Sequence, residues 1–180
     1  MLRKAIGAAA VLALLGAGSA SAATKTFTAG GLPKAWPIEA AFNKKLKIKK
    51  KGKLKDVNVH VGVGTNQNDS ITLLLRHPGG KVIHLTSENG GTGNGYNPGT
   101  IFDDEAEKDV GDYEGVDHVF VGPYQPEDWE EFSNQGGLRR LDGKKLQGTW
   151  ELIAIDTQEL GFPGGTLSQF KVEAQYKPAK

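Results

Sequence analysis

Four valines limit what this chain can become. Val57, Val59, Val61 and Val63 alternate with Asn58, His60 and Gly62. A period of two sets one apolar row on one face of a strand and leaves the polar side chains on the other. The same alternation recurs in Leu46 and Ile48 among lysines and in Ile71, Leu73 and Leu75. It returns in Trp150 and Leu152 within Thr149–Asp156, and in Phe170, Val172, Ala174 and Tyr176 against Lys171, Glu173 and Gln175. No stretch sustains a 3.6-residue period. Turn signals fall every ten or so residues among 25 glycines, so the pattern specifies an all-β antiparallel sandwich or jelly roll and not an α/β fold.

The central stretch carries a hairpin. Asp69–Arg76 and Lys81–Leu85 flank His77-Pro-Gly-Gly80, in which Pro78 and Gly79 suit the two centre positions of a type II turn. A glycine-rich loop, Asn89–Gly99, leads into Thr100-Ile-Phe-Asp-Asp-Glu-Ala106. The loop can fold carbonyls inward beside Asp103, Asp104 and Glu105, the oxygen-rich setting that hard cations take. The longer acidic run to Asp117 also reads as a solvated loop. An EF-hand pattern is absent.

Met1–Ala22 has the form of a secretory signal peptide: Arg3 and Lys4, an apolar run too short for a bilayer, and Ala20-Ser21-Ala22 at the cleavage site. The expected location is therefore secreted or periplasmic, with no membrane span. Removing Arg3 and Lys4 leaves 20 basic side chains against 21 acidic. The remaining ~158 residues form one domain by length. Cysteine is absent, which excludes disulfides, thiol catalysis and thiolate zinc sites. Residues 23–41 read as an extended N-terminal arm whose Trp36 and Ile38 tuck against the core edge, and residues 42–180 as the sandwich. Val116–Val121 is a further strand candidate. Glu127–Phe132 fits either a helical turn or a strand, Gly136–Lys145 a loop around Leu138 and Leu141, and Gly161–Gly165 a turn.

Lys44–Lys55 holds eight lysines. One reading is a polyanion-binding patch through Lys45, Lys47 and Lys49. The other is an edge strand whose lysines block edge-to-edge pairing, with Lys51-Gly52 as a hairpin turn. Near-neutral charge favours the second and argues against nucleic acid. The exported serines, Ser70, Ser87, Ser133 and Ser168, lie in no Gly-x-Ser-x-Gly elbow. His60 and His84 fall opposite the apolar rows, on the polar face. No catalytic triad is legible, so the chain reads as a non-enzyme. The sequon at Asn68-Asp-Ser70 is expected to go unused.

Six motifs in order carry a family resemblance: Leu54–His60, Asn68–Gly79, Gly90–Asn94, Thr100–Ala106, Gly148–Leu152 with Asp156, and Gly165–Phe170. The series resembles the P domain, or P/Homo B domain, of the proprotein convertases and of bacterial secreted proteases. The resemblance implies a jelly-roll sandwich of about eight mostly antiparallel strands. It implies a non-catalytic module that stabilises or assists a subtilisin-like or other secreted protease, or contacts a cell-surface protein. It also implies calcium, with Asp69, Asn94, Asp103, Asp104 and Glu105 as the matching metal positions. Three departures stand out. The family's usual partner, a protease domain, is expected to be missing, Asn68-Asp69 stands where some members show Arg-Gly-Asp, and the lysine run replaces a stretch that is small and polar in the family. The independent alternative is a polyanion- or glycan-binding protein using the lysine-rich strand.

Overall fold

The computed structural model describes residues 21–36, 41–127, 137–157 and 165–179. The signal peptide apart from Ser21 and Ala22, Ile38, the segment after Glu127, Ser133 and most of the Gly161–Gly165 turn lie outside the described residues. Ten strands are described: β1 Ala23–Thr28, β2 Lys34–Ala35, β3 Ala41–Ile48, β4 Gly52–Gly64, β5 Ile71–Arg76, β6 Val82–Ser87, β7 Tyr96–Phe102, β8 Phe120–Tyr124, β9 Gly148–Asp156 and β10 Thr166–Pro178.

They form a two-sheet sandwich. One sheet runs β1-β10-β4-β7-β8, with β2 also on β10; the other runs β3-β9-β5-β6. Leaving out two-residue β2 and edge strand β8, the eight remaining strands have jelly-roll connectivity, four to a sheet. Every pairing is antiparallel except β7 with β8. Among the described residues no helix is long and apolar enough to cross a membrane.

The alternating rows meet in the interior. Val57, Val59, Val61 and Val63, Phe170 and Val172 of neighbouring β10, and Ile71, Leu73 and Leu75 of the other sheet are each 2% exposed or less and share one core. Trp150 is fully buried, its Nε1 donates to the Leu146 carbonyl at 3.0 Å, and His77 meets its ring edge-on at 4.9 Å. Truncating a side chain such as Phe170 to Ala would cost about 3–5 kcal/mol.

Trp36, expected against the core edge, is 3% exposed, and all six residues of β1 pair with β10. Four expectations need correction. Lys51-Gly52 is not a hairpin turn, because β3 pairs with β9 and β4 with β10 and β7, so the link crosses between sheets. β4 begins at Gly52, and a bulge at Lys55 keeps both Leu54 and Val57 inward. The His77–Gly80 turn closes with Gly80 N–H on the His77 carbonyl at 2.8 Å, but its left-handed residue is Gly80 (φ 86°) and not Gly79. A type II turn would need the positive φ at Gly79. The strand expected at Val116–Val121 is Phe120–Tyr124, since residues 116–118 are held by the glycine loop.

Candidate functional site

The glycine loop is an internal brace. Gly90, Gly91 and Gly95 have φ of 94°, 51° and 93°, a region open to glycine at little cost. The Gly90 carbonyl accepts from Gly93 and His118 N–H, both at 3.0 Å. The Gly91 carbonyl accepts from Asn68 and Asp69 N–H at 2.9 and 3.1 Å. Asn68, fully buried, donates through Nδ2 to the His118 carbonyl at 2.7 Å, which removes the sequon from solvent. Asp117 accepts from Thr92 N–H and hydroxyl at 2.8 and 2.9 Å, and those bonds hold its carboxyl below the usual range. The carbonyls expected to face a cation thus bind the flanking chain. Asn94 is exposed and Asp69 half-buried.

The acids lie at the other end of β7, whose seven residues span roughly 20 Å. Asp104 is 9% exposed. Its Oδ1 accepts from Leu138 N–H at 3.0 Å, its Oδ2 from Arg139 N–H, and Arg139 Nε lies 3.5 Å away. It therefore caps the 3₁₀ turn Leu138–Leu141, which seats Leu138 and Leu141 in the core. Asp103 accepts from Glu105 N–H at 2.9 Å and from Asn58 Nδ2 at 3.4 Å. A hydrogen bond with Asp103 raises the Glu105 carboxyl, followed by burial and the charges of Asp56, Asp103 and Asp104. Burial first, and neighbouring acids after it, raise Asp56 and Asp142. The five expected metal positions thus fall into two separate groups, Asp69 with Asn94 and Asp103 with Asp104 and Glu105. Among the described residues no three His, Asp or Glu side chains converge closely enough to hold an ion as they stand.

The histidines are engaged. His60 Nε2 meets Glu173 at 3.1 Å on the outer face. His77 Nδ1 accepts from Gly79 N–H at 2.9 Å, which leaves Nε2–H to donate to the Lys145 carbonyl at 2.9 Å. His118 meets the Tyr124 hydroxyl at 3.0 Å. His84 contradicts its polar-face expectation: it is 3% exposed. Glu127 covers it, with its N–H on the Leu85 carbonyl and its Oε2 taking Ser87 N–H at 2.7 Å and Asn89 Nδ2 at 2.9 Å. Burial pushes the His84 imidazole down to about 4 although Glu127 lies 3.8 Å away. Strand periodicity cannot register a cover that arrives 40 residues later. The described serines are engaged as well: Ser70 with the Gln67 carbonyl, Ser87 with the Thr72 hydroxyl and Ser168 with the Gly62 carbonyl.

Lys45 and Lys47 of edge strand β3, and Lys49 just after its end, are exposed. Lys45 stands opposite Glu151, which Arg76 holds at 2.6 Å. Lys47 stands opposite Thr149. The fold adds Lys81, Lys144 and Lys145 beside them, which sequence reasoning missed; the Lys144-Lys145 doublet was its only signal.

No protein family model matches the chain, and no curated protein matches it. Among solved structures, the complex of Aeromonas sobria serine protease with the chaperone aligns at 11% identity and a TM-score of 0.48, over 87% of this chain and 27% of that one. Serine protease of Aeromonas sobria aligns at 12% identity and a TM-score of 0.47, over 86% of this chain and 26% of that one. This chain thus spans about a quarter of each.

Proposed function

We propose that the chain is an exported, non-catalytic P-domain-like sandwich that works by binding, as a module that stabilises or assists a secreted protease or contacts a cell-surface protein. The observation that carries the non-catalytic part is the state of the reactive groups. Each described serine hydroxyl is bonded to a carbonyl or to Thr72, and none meets an imidazole. Hydrolysis by serine needs that pairing. The protease association rests on the order of the six motifs, which run from β4 to β10 of the jelly roll.

The experiment pairs two measurements on the protein beginning at Ala23. Casein and small peptide esters should remain uncut, and a protease should be retained from culture supernatant in high salt. Cleavage lost on substituting one serine or histidine would overturn the non-catalytic reading. Retention that disappears with salt would overturn the protease partner.

Calcium belongs to this reading at the acidic cluster only. Asp56, Asp103 and Glu105 supply carboxylates, and Asn58 Oδ1 is buried beside them without a hydrogen-bond partner among the described residues. That donor chemistry suits a hard cation. The side chains would have to turn inward to converge. Calcium should then raise the melting temperature, and Asp103→Asn with Glu105→Gln should remove the rise. Identical melting curves in calcium and in chelator would reject the site.

A further inference from the structure

Lysines from separate segments converge at the end of the sandwich where β3 finishes and β4 begins. Lys47 lies in the last pleat of β3 and Lys49 directly follows its end at Ile48. Lys144 and Lys145 follow the Leu138–Leu141 turn and are tied to β4 by Leu54 N–H on the Lys144 carbonyl at 2.8 Å and by a bridge between Lys53 and Lys145. The β5–β6 hairpin brings Lys81. Its Pro78 fills the space beside Gly148, where a Cβ would collide with the proline ring, and its His77 donates to the Lys145 carbonyl. Partial desolvation, then Arg140 and Lys144, lower Lys81 from the usual lysine range. Lys177 of β10 stands directly opposite Lys53.

Among the described residues the ion pairs within 4.0 Å involve His60, Arg76, His84 and Arg139, and none of these lysines. Lys53 faces like charges on both flanks, in Lys177 and Lys145, an arrangement that costs stability. Between β3 and residues 145–149 runs a groove of about 290 Å³ lined by Lys47, Lys49, Lys145 and Thr149.

We propose that this rim, Lys47, Lys49, Lys81, Lys144 and Lys145 around the groove, binds a polysaccharide bearing phosphate or sulfate groups. Lysine is a flexible point charge, suited to anionic groups of variable spacing. Single-stranded nucleic acid would want aromatic platforms among the cations, and the groove lining contains none. A membrane surface would want apolar anchors beside the lysines. The large exposed apolar side chains among the described residues, Val116, Val119 and Val121, are not among the residues that line the groove. The proposal does not depend on the protease association.

The test measures binding of the chain from Ala23 to dextran sulfate, with neutral dextran, a single-stranded oligonucleotide and anionic phospholipid vesicles in parallel. Dextran sulfate should bind tightest, and affinity should fall steeply between ~50 and ~500 mM salt. Lys47→Gln with Lys145→Gln should weaken binding about tenfold or more and flatten the salt slope. Lys108→Gln with Lys171→Gln, an equal charge loss elsewhere, should not. All four substitutions are exposed or half-buried, and matched melting curves check the fold. Equal loss in both double variants, no binding to dextran sulfate, or tighter binding to the oligonucleotide or vesicles would overturn the proposal.

Discussion

The glycine loop before β7 and the lysine rim at the end of β3 exchange the roles their sequences suggest. The loop carries glycines, acids and amides, the residue types of a ligand site, yet its carbonyls and side chains bond to residues 68–69 and 117–120. The rim reads as a guard on an edge strand, yet it gathers lysines that form no ion pair among the described residues and sets some of them against each other. Residue type alone does not separate structure from function; whether the polar groups are already satisfied does.

The largest effect should come from inside the loop. Gly95 has φ 93°, and a Cβ there would run into the Val63 carbonyl oxygen. Gly95→Ala should cost about 3 kcal/mol or more in denaturant melts. Gly99 also has a positive φ, 122°, but open space around it. Gly99→Ala should cost less, about 1–2 kcal/mol from backbone strain alone. Equal costs at the two positions would break the idea that the loop is a packed brace.

The acids come next. Asp104→Ala should lose about 2 kcal/mol, because two N–H groups of the Leu138–Leu141 turn lose their acceptor. Without metal, Asp103→Asn should stay within about 0.5 kcal/mol, since its partners are a half-exposed amide and the neighbouring Glu105 N–H. Reversal of that order would return Asp104 to the ligand set.

The fold was legible where burial is one-sided. Val57–Val63 and Phe170–Tyr176 alternate because one sheet face meets the core and the other meets solvent. Legibility failed where a second layer covers the outer face, as Glu127 does at His84. It failed again where the sign of one dihedral decides, as at Gly80. The hairpin expected at Lys51-Gly52 failed because β3 and β4 belong to opposite sheets, which no local turn signal reveals. Of the candidate sites, the lysine positions on β3 were readable from period two. Their neighbours Lys81, Lys144 and Lys145 required long-range topology.

Protonation offers a finer probe of satisfied groups. His84 is neutral in the fold because burial lowers its pKa to about 4. The unfolded chain takes up that proton near 6.5. The folded state is thus favoured fully above pH 6.5 and loses this contribution as pH falls toward 4. Raised acids such as Glu127 and Asp56 act in the opposite sense, so the difference between wild type and His84→Gln isolates the histidine. That difference should shrink from pH 7 to pH 4 and level off below. A difference independent of pH would mean that burial does not shift the His84 pKa from its unfolded value.

The smallest effect separates the rim from the loop most directly. Lys53 is exposed and flanked by Lys177 and Lys145. Lys53→Glu should stabilise the protein by a few tenths to about 1 kcal/mol. The gain should fade as salt screens the pairs, since exposed charges interact over only about 8 Å at physiological ionic strength. A brace residue replaced by its opposite charge would lose stability at every salt concentration. A residue placed for an external anion gains stability when its charge is reversed and loses affinity for dextran sulfate in the same variant. If Lys53→Glu destabilises instead, the lysines hold the strand ends together, and the rim joins the glycine loop as structure.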